Sequence, residues 1–145
     1  MSKVEFFLNA ADEEIIIAAI KEAENNTSGE IRVHIEKNTK KPPMDRALEV
    51  FYVLEMDQTE QRNGVLIYIA SESKKFAILG DKGINKLVPD DFWDTEKELM
   101  LSHFKKGDFA KGLELAIIEV GKKIKDFFPY KSNDTNELSD EISKG

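Results

Sequence analysis

The sequence predicts one α/β domain, a three-layer α/β/α sandwich built on a small central mixed β-sheet. Three observations lead there. Hydrophobic spacing alternates along the chain between helical and strand periods, in the order α, β, α, β, β, α, α. One segment, Val65-Leu66-Ile67-Tyr68-Ile69-Ala70, is an unbroken apolar run and needs a covering layer on each face. And 145 residues with 41% hydrophobic content are enough for a core, since a domain of this size buries roughly 70% of its unfolded surface.

Each element has its own signal. From Asp12 to Asn25, Ile16, Ala19, Ile20 and Ala23 recur at helical steps, with acids in the first turn where the helix dipole favours them. Asn26-Thr27-Ser28-Gly29 ends that helix, and Glu30 to Lys37 alternates polar and apolar as a strand with one buried face. After the linker Lys40-Lys41-Pro42-Pro43, Asp45 to Met56 returns to helical spacing through Ala47, Val50, Phe51 and Leu54. Asn63-Gly64 opens the central strand, and Lys75 to Leu79 pairs with it as a hairpin across Ser71-Glu72-Ser73-Lys74. A glycine-flanked break, Gly80-Asp81-Lys82-Gly83, leads to a short helix through Ile84, Leu87 and Val88, then to a longer one over Asp91 to Phe104. Lys105-Lys106-Gly107 stops it, and Asp108 is placed to cap a last helix with the stripe Leu113, Ile117, Val120, Ile124 and Phe127. Beyond Pro129 the composition is polar and acidic. The expected division is therefore a folded unit over 1–128 and a flexible acidic tail over 129–145.

Composition excludes several function classes. There is no cysteine, hence no disulfide, zinc ribbon, iron–sulfur ligation or thiol chemistry. A formal charge of −7 opposes attraction to nucleic acid or anionic membranes and suits a metal cation. The first apolar patch is broken by Glu5 and followed by Asp12, Glu13 and Glu14, unlike a secretory leader. The run Ile15 to Ile20 is far shorter than the ~20 residues a bilayer requires. The expectation is a cytoplasmic protein with no membrane anchor and no nucleic-acid partner. No P-loop, dinucleotide-binding, EF-hand or H-E-x-x-H pattern occurs. The two histidines lie far apart: His34 reads as a partly exposed strand residue and His103 as a helix-end residue favoured by the dipole.

What remains is a set of oxygen donors at element ends. Thr27, Ser28 and Glu30 lie at the first helix-to-strand turn, Asn63 precedes the central strand, and Asp81 lies in the glycine-flanked loop. Asp90 and Asp91 follow Pro89. Hard divalent cations take six or more such oxygens. Gly80 and Gly83 are expected to adopt positive φ and bring the backbone close to an ion or phosphate. Each position has a structural alternative. Asn63-Gly64 is a turn pair, Asp81 shapes a turn, and Asp90, Asp91 and Asp108 suit helix caps.

The blocks Thr27-Ser28-Gly29-Glu30-Ile31, Arg62-Asn63-Gly64-Val65-Leu66-Ile67, Phe76-Ala77-Ile78-Leu79-Gly80-Asp81-Lys82-Gly83 and Phe104-Lys105-Lys106-Gly107-Asp108-Phe109 resemble the TPM domain. That family includes a thylakoid-lumen acid phosphatase and photosystem II repair proteins. The resemblance covers roughly residues 4–128. It implies an α/β/α sandwich and a divalent metal, Ca2+ or Mg2+, in a groove at the strand ends. By position the implied ligands are Glu30, Asn63 and Asp81, with Asp90 and Asp91 as weaker candidates. The functional expectation is a divalent-metal-binding domain. Metal-dependent phosphomonoester hydrolysis, on a phosphorylated small molecule, is its enzymatic reading. The alternative is a non-enzymatic, metal-stabilised module that binds a protein partner in assembly or repair of complexes. Whether the chain is an enzyme is left open, because no nucleophile of a known phosphatase type stands in any block.

Overall fold

The computed structural model describes residues 8–130 and 141–145. Helix α1 (Ala10–Glu24) starts two residues before the sequence expectation because Asn9 and Asp12 form a reciprocal capping box. The Asn9 side chain accepts from the Asp12 amide at 2.8 Å, and Asp12 accepts from the Asn9 amide at 3.2 Å. Its buried stripe is the expected Ile16, Ala19, Ile20 and Ala23. The rest of the order is β1 (Glu30–Glu36), α2 (Pro43–Val53), a 3₁₀ turn (Met56–Gln58), β2 (Gly64–Ala70), β3 (Lys75–Gly80), α3 (Lys82–Asn85), α4 (Asp94–Lys105), α5 (Phe109–Ile124) and β4 (Ser143–Lys144).

The sheet runs β3-β2-β1-β4 and is mixed: β1 is parallel to β2 and to β4, while β2 and β3 form the expected antiparallel hairpin. Alternation along the strands sends Ile31, Val33, Ile35, Val65, Ile67, Ile69 and Ile78 into one core with α1, α4 and α5. Leu66, Tyr68, Ala70 and Ala77 face the other way, against Ala47, Val50 and Phe51 of α2 and against Met56. All of β2 is buried, so the three-layer α/β/α arrangement follows. Among the described residues no helix is long and apolar enough to cross a membrane.

Four details depart from the sequence reading. Strand β1 is buried on both faces, with only Arg32 half-buried, where the alternation predicts one buried face. Asp108 precedes α5 but its side chain makes no cap hydrogen bond. Phe127 is 42% exposed and Phe128, at 7%, takes the core place, because α5 ends at Ile124 and the stripe stops with it. The Phe128 carbonyl then accepts the Thr27 hydroxyl and, at 2.9 Å, the Ser28 amide, anchoring the chain beside the first turn. The fourth is β4, a strand too short and polar to leave a periodic signal. It lies along His34 and Ile35, and the Gly145 amide donates to Ile35 at 2.9 Å. The remainder of the predicted tail, over 131–140, falls outside the described residues.

Helices α1 and α5 meet through Gly121: a Cβ there would come within 2.7 Å of the Ala23 Cβ and 3.0 Å of its Cα. At an ordinary helix site Gly→Ala gains about 0.8–1 kcal/mol in propensity. Here overpacking, about 1–3 kcal/mol, opposes it. Gly121→Ala is expected to lower stability by up to roughly 2 kcal/mol in urea denaturation; a stabilised variant would mean that the two helices are not in this contact.

Candidate functional site

The turn before β1, the loop before β2 and the end of β3 meet at one edge of the sheet. Glu30 is in register with Gly64, the Glu30 amide donates to the Asn63 carbonyl at 3.3 Å, and the Asp81 amide donates to Gly64 at 2.9 Å. Three of the five residues singled out from sequence are thus brought to one place, and all three are buried: Asn63, Glu30 and Asp81. Asp90 and Asp91 are exposed, in the turn that leads into α4.

Within this edge the hydrogen bonds are specific. Asn63 Nδ2 donates to the Ser28 carbonyl at 3.3 Å, and the Asn63 amide donates to Thr59 Oγ1 at 3.2 Å. Asn63 Oδ1 and Ser28 Oγ are both buried and have no hydrogen-bond partner. Such orphaned oxygens are uncommon, because leaving one unsatisfied costs about 1–3 kcal/mol. The Asp81 carboxylate is committed elsewhere: it accepts from Arg62 Nε and Nη2 at 2.8 and 2.9 Å and caps α3 through the Lys82 amide at 2.7 Å. Its structural alternative, shaping a turn, is therefore realised, and the cap on α3 is an added role that the sequence reading assigned to other aspartates.

The glycine loop works differently from the expectation. Gly107, which ends α4, has φ +79, and no other described glycine has positive φ. Gly83 is needed for close approach instead: a Cβ there would fall 2.2 Å from the Gln61 carbonyl and 2.5 Å from that of Arg62, and its amide donates to Arg62 at 2.8 Å. The left-handed residue is Arg62 itself, at φ 51. Around it opens a groove of about 520 Å³ lined by Arg62, Lys82, Lys86 and Phe128 among others.

As a donor set, Ser28 Oγ, Asn63 Oδ1, Glu30 and Asp81 present oxygen only, which suits a hard divalent cation and no soft metal. Two orphaned oxygens at a strand end fit that chemistry. Among the described residues no three His, Asp or Glu side chains converge on one point, so an ion here would depend on neutral oxygens and on Arg62 releasing Asp81. The Arg62 side chain is 35% exposed, so water reaches the guanidinium side of the pair.

Sequence reasoning missed a second polar cluster at the opposite end of β1. Glu36, 5% exposed, accepts from Arg46 Nε and Nη2 at 2.8 and 2.9 Å, from the Tyr68 hydroxyl and from His34 Nε2 at 3.0 Å. His34 Nδ1 lies 2.9 Å from Ser143 Oγ, and its ring stacks on Tyr68 at 5.9 Å. His34 is thus buried rather than partly exposed. Glu36 and His34 share a face two residues apart on β1, but Arg46, Tyr68 and Ser143 arrive from separate elements and no local motif marks them. Burial pushes the Glu36 carboxyl upward, and the hydrogen bonds from Arg46, Tyr68 and His34 overcome it, holding it at about 2. Burial likewise pushes His34 below its ordinary value, against the Glu36 hydrogen bond that raises it.

Both shifts make the unfolded chain the better proton binder on acidification, so stability falls as pH falls. The His34 contribution erodes below its ordinary value of 6.5. The Glu36 contribution is complete above 4.5 and is lost as pH approaches about 2; integrated over that window it is on the order of 3 kcal/mol. Urea midpoints measured between about pH 7 and pH 3 should therefore decline in two stages. His34→Gln should remove the upper stage and Glu36→Gln the lower; a flat profile in wild type would overturn this account.

Comparison with known proteins agrees with the fold and its motifs. The family model of the TPM domain matches residues 3–123. No curated protein matches. Among solved structures, the chain is similar to the BA42 protein from the psychrophilic bacterium Bizionia argentinensis, at 52% identity and a TM-score of 0.91 over 100% of both chains. It shares the fold of the N-terminal domain of a protein from P. gingivalis, at 17% identity and TM-score 0.67, with 88% of this chain and 83% of that one covered. The N-terminal domain of cg2496 from Corynebacterium glutamicum is similar at 15% identity and TM-score 0.62, covering 95% and 80%. With four motif blocks in order, an α/β/α sandwich around them and a family match over most of its length, the chain belongs to the TPM domain family.

Proposed function

We propose that this TPM domain binds a divalent cation, Ca2+ or Mg2+, through Ser28, Glu30, Asn63 and Asp81, and that the ion stiffens the loops at this sheet edge for engagement of a protein partner. The observation that supports the reading is the pair of buried, unpartnered oxygens, Asn63 Oδ1 and Ser28 Oγ, at the sheet end whose backbone also carries the buried Glu30 and Asp81. A cation would satisfy both oxygens and replace the Arg62 guanidinium as the counter-charge of Asp81. Ordering the loops before a partner arrives lowers the entropy lost on association. Asp90 and Asp91, exposed in their turn, are outside this ligand set.

One feature favours the enzymatic reading, phosphomonoester hydrolysis. The adjoining groove carries Arg62, Lys82 and Lys86, cations suited to a phosphoryl group. When bound there, the metal would supply Lewis-acid polarisation and an activated water. The chain's own part would be orientation of the phosphoryl oxygens by those cations, with Phe128 closing one wall.

Titration of the protein with CaCl2 or MgCl2, followed by amide NMR, tests the binding. Shifts are expected at residues 27–30, 61–64 and 80–83, and the melting temperature should rise with ligand excess, by about 2.7 kcal/mol of stability at ~100-fold excess over Kd. Asn63→Ala with Asp81→Asn should abolish both. Shifts confined to Asp90 and Asp91 would refute the site. Turnover of p-nitrophenyl phosphate that survives Glu30→Ala with Asp81→Ala would refute the enzymatic reading alone.

A further inference from the structure

The far end of the sheet carries a different surface. Between β3 and the meeting ends of α4 and α5 lies a groove of about 480 Å³, a size ordinary for ligand and anchor-residue pockets, which run ~300–1,000 Å³. Its walls are apolar: Phe76 and Phe104 meet edge to face at 5.7 Å, and Leu101 is 44% exposed. Its rim is basic. Lys74 and Lys75 stand on the β3 side and Lys105 on the α4 side. Among the described residues none of these three lysines makes an ion pair, so all three charges are available to an acidic ligand.

We propose that this groove docks a segment of a partner protein in which an aromatic or large aliphatic side chain is flanked on both sides by carboxylates. The apolar walls take the anchor, and the lysines on two opposite rims take the acids. That two-sided rim is the reason for choosing a peptide over a fatty acid, whose single carboxylate can meet one rim only. An anionic membrane is disfavoured for a different reason: surface binding of that kind uses roughly 4–8 clustered basic residues, and the chain as a whole carries −7. The same −7 does not exclude an acidic segment, because charges beyond a Debye length of ~8 Å are screened and the rim lysines dominate at contact. A purely electrostatic ligand would leave Phe76 and Leu101 exposed to water and gain nothing from the groove.

The site stands apart from the cation site in both place and argument, since it involves the last residues of β2, not the first. Its test uses the full chain and a panel of short synthetic peptides with Phe, Leu or Trp between Asp and Glu residues. Control peptides have Ser at the centre or Gln for the acids. Amides of Lys74 to Phe76 and Leu101 to Lys105 should shift with the acidic, apolar-centred peptides. Lys74→Glu, Lys75→Glu and Lys105→Glu together should weaken binding at least about tenfold. Leu101→Asp, at a half-exposed position, should abolish it with an unchanged melting temperature. Three results overturn the proposal: no shift in this region with any peptide at millimolar concentration, equal shifts with the Ser-centred controls, or shifts with laurate or phosphatidylglycerol vesicles where the peptides give none.

Discussion

Strand β2 has water on neither face, and most of the architecture is a response to that. Its seven residues are all buried, so its backbone must pair on both edges and its side chains must be covered above and below. Strands β1 and β3 supply the edges. Helices α1, α4 and α5 supply one cover, gathered round Val65, Ile67 and Ile69. The opposite cover is a single helix, α2, packed over β2 and β3. A helix is about 10 Å wide with its side chains, whereas four strands at ~4.8 Å span nearly twice that. One helix cannot cover the whole face with apolar side chains, and over β1 the cover is polar, Arg46 of α2 reaching across to the buried Glu36. There the residues on the α2 side are Glu30, Arg32, His34 and Glu36, polar at every position. The shortage of covering helix thus accounts for the polar face of β1 and for the Glu36 network that satisfies it.

That reasoning also separates what was legible in the sequence from what was not. The β2 run and the stripe Ile16, Ala19, Ile20 and Ala23 are local patterns, each readable with its burial; the alternation of β1 reveals the strand but not its burial, since Glu30, His34 and Glu36 on its polar face are buried as well. The gathering of Glu30, Asn63 and Asp81 was readable because all three mark ends of strands that pair. The Glu36 cluster was not, since Tyr68 lies 32 positions away and Ser143 lies 109 from His34. No period or spacing encodes such a meeting. Gly83 was readable as important but for the wrong reason: its sequence context says glycine, and only the fold says that the need is room against the Gln61 and Arg62 carbonyls. Phe127 and Phe128 differ by one step of a helix that had already ended, a distinction no stripe can make.

Asp81 shows how two roles compete at one carboxylate. A bidentate Arg–carboxylate pair is among the stronger ion pairs in geometry, yet the Arg62 side is about a third exposed, and exposed pairs are commonly worth ~0–1 kcal/mol. The cap to the Lys82 amide makes no use of Arg62. Losing the arginine would therefore leave α3 capped and the loop in place. A cation that offered more to Asp81 than a partly solvated guanidinium does could displace it with little disturbance of the fold. The orphaned oxygens of Asn63 and Ser28 tilt the balance further, because in the present arrangement they gain nothing.

The same central strand that unites the layers also keeps its two ends apart. From Gly64 to Ala70 is about 20 Å of extended chain, and every residue between them is packed in a core or paired in a ladder. Coupling between distant sites needs an element with two arrangements that both sites bias. β2 offers none: its side chains are locked by covers on both faces, and a slip of one residue would turn Tyr68 and Leu66 into the wrong core. The Arg62 loop packs instead against α3, through the close contact at Gly83, and α3 is four residues long. The basic, apolar-walled groove at the far end is built by β3, α4 and α5 around the last residues of β2. On the two proposals above, an ion at Asp81 and a peptide at Phe76 would act on one rigid body without regulating each other.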